Sequence, residues 1–130
     1  MTPRDPSRTT DPPRHAPKRD YVKNFLYATS GISYAWRTER NFRLEVGISG
    51  VVIGLALLLG VNLVPVLLCC GLVMSLELVN TALEAIVDLV SPTYHPLAKI
   101  AKDAAAGAVL LSSLVSLAIG VYLFVPVLFP

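Results

Sequence analysis

Between Leu44 and Ala98 the chain has no lysine or arginine at all. Cysteine is almost absent. Cys69 and Cys70 are adjacent within an apolar run, where they cannot readily bridge each other, and no Cys or His lies at metal-ligand spacing. A disulfide scaffold and a zinc site are therefore excluded, and the two thiols read as small packing residues. Neither a Gly-rich phosphate loop nor the catalytic-loop motif of soluble kinases is present, which removes the common soluble nucleotide-binding folds. The first twenty residues lack an apolar core segment, so no secretory signal peptide is expected. What the chain has in abundance is apolar surface. With 54% hydrophobic residues among 130 and a mean hydropathy of +0.61, it reads as a small all-α integral membrane protein.

Against that background the stretch Glu77-Leu-Val-Asn80-Thr81-Ala-Leu-Glu84-Ala-Ile-Val-Asp88 is anomalous. It continues an uncharged run from Val46 to Leu76, yet it carries three carboxyl groups and an amide. At 100° per residue, Glu77, Asn80, Thr81, Glu84 and Asp88 fall within roughly a third of the helix circumference. An acidic residue at the centre of a spanning helix costs roughly 2.5 to 3.5 kcal/mol on insertion scales, so the stripe requires partners, a cation or water. It is either a seam between helices or a site. A lone Asn80 would fit a seam, whereas three carboxylates on one face repel one another unless cations lie between them.

Residues 1–20 hold five prolines among Arg, Asp, Ser and Thr, with almost nothing apolar, and are expected to be disordered. From Tyr21 to about Arg43, Tyr21, Phe25, Ala28, Ile32 and Ala35 recur at helical spacing among basic residues. That pattern predicts an amphipathic helix at the membrane interface, bent at Gly31, with Trp36 and the tyrosines at headgroup level. Glu39 and Glu45 either pair with neighbouring arginines or hold a metal. A first span is expected at about 46–63, ending in a break over Asn62–Pro65, a second at about 66–90 and a third at about 97–128. Gly47, Gly50 and Gly54, and the run Ala104–Ala108, are smooth enough to admit a neighbouring helix, the second lying against the acidic helix.

Nine of the eleven Lys and Arg precede Leu44, and the other two are Lys99 and Lys102. With three spans, both basic segments fall on one side, and the positive-inside rule makes that side cytosolic, with the C-terminus outside. Every acid or base in or beside the membrane then lies toward the cytosol, Glu77 deepest, about 16 Å along the helix from Asp88. Such a one-sided site suits a reaction between a water-soluble anion and a membrane-embedded alcohol. Glu39, Glu84 and Asp88 are candidates to hold Mg²⁺, Lys102 and Lys99 to neutralise phosphates, and Glu77 to accept a hydroxyl proton.

The run from Glu77 to Asp88, followed by Tyr94-His95-Pro-Leu-Ala-Lys99-Ile-Ala-Lys102-Asp103-Ala-Ala-Ala-Gly107-Ala-Val-Leu, closely resembles the prokaryotic diacylglycerol kinase and undecaprenol kinase family, and Glu39-Arg40-Asn41-Phe42-Arg43 resembles its upstream motif. The resemblance covers about residues 21–129. It implies a homotrimeric lipid kinase of the bacterial inner membrane that transfers the γ-phosphate of MgATP to a lipid hydroxyl. On the matching positions it implies Glu77 as general base with Asn80 its catalytic neighbour, and Glu39 and Glu84 as metal ligands. It further implies Tyr27, Glu39, Glu84, Asp88, Thr93, Tyr94, His95, Lys102 and Asp103 at the nucleotide, and Glu77 and Ala106 at the lipid. The Ala98–Val109 run and the Glu39–Arg43 segment look more like the undecaprenol kinase branch, although Glu45 departs from it. Two other classes remain open on the residues alone: an ion or proton carrier using the stripe as a relay, and a non-enzymatic membrane scaffold. The absence of polar groups in the outer half counts against a carrier.

Overall fold

A computed structural model describes residues 21–129, and the proline-rich segment expected to be disordered lies outside them. The described chain forms four helices: α1 (Tyr21–Thr38), α2 (Arg40–Leu59), α3 (Leu63–Val90) and α4 (Pro96–Leu128). The helices α2, α3 and α4 are long and apolar enough to cross a membrane. At 1.5 Å per residue even the shortest, α2 with 20 residues, reaches about 30 Å, the thickness of a hydrocarbon core.

The boundaries follow local chemistry, and several differ from those read in the sequence. The first helix does not run to Arg43, and it is not broken at Gly31. It ends at Thr38, and Glu39 alone is extended (φ −94°, ψ 113°) before α2 begins at Arg40. The first spanning helix therefore starts six residues before Val46. It stops at Gly60, whose left-handed φ of 70° lets the N–H groups of Gly60 and Val61 both close on the Ala56 carbonyl; a residue with a Cβ would be strained there. Asn62 Oδ1 accepts from the Val64 amide at 3.0 Å and starts α3 at Leu63. Pro65 does not extend the break. It falls in the first turn, where its missing N–H would have had no intrahelical partner. Between α3 and α4, Ser91 Oγ donates to the Thr93 carbonyl, and His95 Nδ1 accepts from the Leu97 amide ahead of Pro96.

The long helices alternate in direction. The most extensive packing is α3 on α4, followed by α2 on α3, while α1 touches both α2 and α3. A compact apolar cluster of Ala56, Val61 and Val66, with Leu63, Cys70, Leu123 and Phe124 against it, ties the bundle at the Gly60 turn. Apart from Ala35, Phe42, Val73 and Ala105, most apolar side chains elsewhere are exposed to varying degrees, Leu58 and Leu89 each to 83%. In water that surface would be unstable, and acyl chains are the solvent that suits it. Gly47, Gly50, Gly54 and Gly107 have open space where a Cβ would stand, so no helix of the same chain uses them for close approach. It is Ala105 that is buried on α4.

Candidate active site

The acidic stripe emerges at the end of the bundle opposite the Gly60 turn, and its members differ in setting. Glu77 is 3% exposed and Thr81 is also buried, Asn80 and Glu84 are half-buried, and Asp88 is exposed. Within the one chain α3 and its neighbours enclose Glu77 and Thr81, while the outer members of the stripe stay partly or fully exposed. The Glu77 carboxylate accepts no hydrogen bond from another described residue, and the Thr81 hydroxyl donates to the Glu77 backbone carbonyl at 3.0 Å. A carboxylate in such a place is costly, and the cost is met only when a cation or a proton donor arrives.

The α2–α3 register brings further acids to it. Ser49 Oγ lies 3.9 Å from Met74 Sδ across the contact. Carried back along two antiparallel helices, that pairing sets Glu45 level with Leu78, beside Glu77, and Glu39 level with Glu84. The acids thus form two tiers, a shallow one of Glu39 and Glu84 and a deep one of Glu45 and Glu77. Glu45 is the member that spacing alone placed least well. It does not pair with an arginine; it is half-buried, and its Oε2 is enclosed without a partner.

Asn80, on the same face as Glu77 and Glu84, contacts the shallow tier. Its Nδ2 donates to Glu84 Oε1 at 3.0 Å, while its Oδ1 is buried and unpartnered. On the α4 side, Lys102 Nζ donates to Asp88 Oδ1 at 2.5 Å and lies within charge range of Glu84, so a cation stands at the mouth of the acidic cluster. Lys99 pairs with Asp103 one turn along the same helix. Ala106 is exposed on α4, four residues beyond Lys102 and so on the same face. Thr93, Tyr94 and His95 are exposed in the connecting loop, with His95 engaged in capping α4 through Nδ1. Tyr27 is exposed on α1. A shallow groove of ≈ 240 Å³ separates α1 from α3, lined by small and apolar groups including Ala28, Gly31, Thr81 and Ala85.

The fit to a divalent cation follows from the donors. They are oxygen throughout, two of them carboxylates at one level, which suits Mg²⁺ rather than a soft metal. Among the described residues no group of three or more His, Cys, Asp or Glu side chains closes a cage.

Residues 26–124 match the family model described as prokaryotic diacylglycerol kinase. The chain is 50% identical over 107 residues to a diacylglycerol kinase of Synechocystis, an alignment covering 79% of this chain and 61% of that protein. It is 41% identical over 109 residues to the undecaprenol kinase of Bacillus subtilis, covering 82% of this chain and 89% of the relative. It is 34% identical over 102 residues to the diacylglycerol kinase of Escherichia coli K12, covering 73% and 80%. A match over this much of the chain joins the acidic stripe, the three apolar helices and the basic mouth in one conclusion: the chain belongs to the prokaryotic diacylglycerol kinase family, a family of lipid kinases.

Proposed function

We propose that this protein transfers the γ-phosphate of MgATP to the hydroxyl of a membrane-embedded lipid alcohol. The observation that carries the reading is Glu77, 3% exposed, without a hydrogen-bond partner for its carboxylate and on the same helix face as Asn80 and Glu84. A base set inside an apolar bundle and open to the basic mouth is where a lipid hydroxyl and a nucleotide phosphate would meet. Glu77 accepts the hydroxyl proton as the lipid oxygen bonds to the γ-phosphorus, and the bond from that phosphorus to the ADP oxygen breaks. Asn80 holds Glu84 in place through its amide and keeps an acceptor oxygen for the incoming groups. Glu39 and Glu84 would hold Mg²⁺, which supplies charge neutralisation on the phosphates. Lys102 exchanges Asp88 for phosphate oxygens, and Tyr27, the Thr93–His95 loop and Asp103 border the nucleotide. Ala106 and Glu77 line the lipid end.

The orientation that fits this chemistry has the acidic end, with the N-terminal segment, in the cytosol and the Gly60 turn and C-terminus outside. In that orientation α1 lies in the interface, where its exposed Phe25 and Trp36 suit headgroup level. A homotrimer would use the open glycine face of α2 and complete the exposed end of the stripe. Cross-linking in bilayers should then stop at three copies.

The acceptor is the finer question. The Ala98–Val109 and Glu39–Arg43 segments favour undecaprenol, while the 50% identity is to a diacylglycerol kinase and the 41% to an undecaprenol kinase. Purified protein offered both alcohols side by side with labelled ATP should label at least one. Cation flux through sealed vesicles without nucleotide, and no lipid labelling, would replace the kinase with a carrier.

A further inference from the structure

The break between α1 and α2 has no obvious author in the sequence: Arg37 to Leu44 contains neither proline nor glycine. An extended residue between two helices interrupts the backbone ladder and leaves the last carbonyls of α1 without donors. Arg43, in the first turn of α2, supplies them. Its Nη1 donates to the Trp36 carbonyl at 2.9 Å and to the Arg37 carbonyl at 3.2 Å. The guanidinium also sits at the negative end of the α1 dipole. The Glu39 backbone is held on both sides, its N–H by the Ala35 carbonyl at 2.8 Å and its carbonyl by the Arg43 amide at 3.4 Å. Ala35 and Phe42, flanking the elbow, are both buried.

The same contact has an electrostatic result. Arg43 follows Glu39 by four residues, a spacing at which acid and base commonly pair, and Arg37 and Arg40 stand nearby. Glu39 nevertheless makes no ion pair with a described residue, and its side chain does not cap α2. Arg43 spends Nη1 on the α1 carbonyls and forms no ion pair with Glu39.

We propose that Arg43 is a positioning residue: it clamps the α1–α2 elbow through the α1 carbonyls instead of pairing with Glu39, so that Glu39 is held toward α3 as a cation ligand. The proposal rests on the reading of Glu39 and Glu84 as ligands. A surrounding contact that orients a ligand is commonly worth about 10–100-fold in metal affinity. Methionine keeps the unbranched stem of Arg43 but lacks the guanidinium and its donors, and lysine keeps the charge with a single donor point.

The test uses the full chain in lipid nanodiscs, with Cys69 and Cys70 replaced by serine and spin labels at the exposed positions of Ser33 on α1 and Ile48 on α2. Without metal, the label distance should be narrowly distributed in the parent, broadened by Arg43→Met and partly restored in Arg43→Lys. Binding of Mn²⁺ alone, followed by its own paramagnetic signal, should weaken about tenfold in Arg43→Met and less in Arg43→Lys. An unaltered distance distribution in Arg43→Met overturns the clamp. Broadening with unaltered Mn²⁺ affinity, where Glu39→Gln lowers that affinity, overturns the link between elbow and ligand. Unaltered Mn²⁺ affinity in Glu39→Gln removes the ligand reading itself, and the positioning role falls with it.

Discussion

Replacing Glu77 separates a catalytic site from a structural seam, because the two predict opposite signs for stability. Glu77 is 3% exposed and its carboxylate has no hydrogen-bond donor among the described residues. A buried polar group left unsatisfied costs about 1–3 kcal/mol. The fully enclosed oxygens here are Glu45 Oε2 and Asn80 Oδ1 rather than those of Glu77, so removing the Glu77 carboxyl should return at most an amount of that order. Glu77→Leu should therefore raise the unfolding midpoint of the protein in detergent or bilayer by several degrees, since about 1 kcal/mol corresponds to a few degrees in a chain of this size. If the residue is the base for the lipid hydroxyl, the same change removes a contribution of about 10²–10⁴ in rate, or roughly 3–5 kcal/mol of barrier. Glu77→Gln, which keeps the shape, should lose as much turnover with little change in midpoint. The assay pairs thermal unfolding of each variant with ATP-dependent labelling of lipid at saturating MgATP. A variant that is less stable yet turns over at the parental rate would refute the reasoning, since it would make Glu77 a helix-packing group.

Three other perturbations test neighbouring parts. Glu84→Gln removes a carboxylate that Asn80 holds at 3.0 Å, so the Mg²⁺ concentration for half-maximal activity should rise about tenfold or more with the fold intact by circular dichroism. Lys102→Met breaks a solvent-screened pair whose side chains are 36% and 67% exposed, so the unfolding midpoint should hardly move, while the KM for ATP rises about tenfold as a charged phosphate contact is lost. Gly60→Ala places a Cβ on a residue with φ of 70°, so the midpoint should fall by the equivalent of about 1 kcal/mol with kinetics unchanged, because the turn lies at the end of the bundle away from the acids.

The acidic stripe was legible in the sequence because its anomaly is chemical: Glu77, Glu84 and Asp88 stand in a run where charge is costly, and their spacing maps directly onto one helix face. The three spans were legible for the same reason, through long uncharged runs. The break at Glu39 was not, since its cause is a side chain reaching back six and seven residues from Arg43 rather than a local breaker. Pro65 misled in the opposite direction, being a breaker in a helix interior and harmless in a first turn. Glu45 shows the larger limit. Its place beside Glu77 depends on the register of α2 against α3, fixed by packing such as Ser49 on Met74, and no spacing within one helix reports the register between two.

The most direct measurement of the central claim is transfer of labelled phosphate from ATP to lipid by the purified protein, with undecaprenol and diacylglycerol offered together in bilayers and Glu77→Gln run in parallel. The account predicts Mg²⁺-dependent label in at least one lipid for the parent and a loss of about 10²-fold or more in the variant. Label absent from both lipids with folded parent protein, or label undiminished in Glu77→Gln, would contradict it.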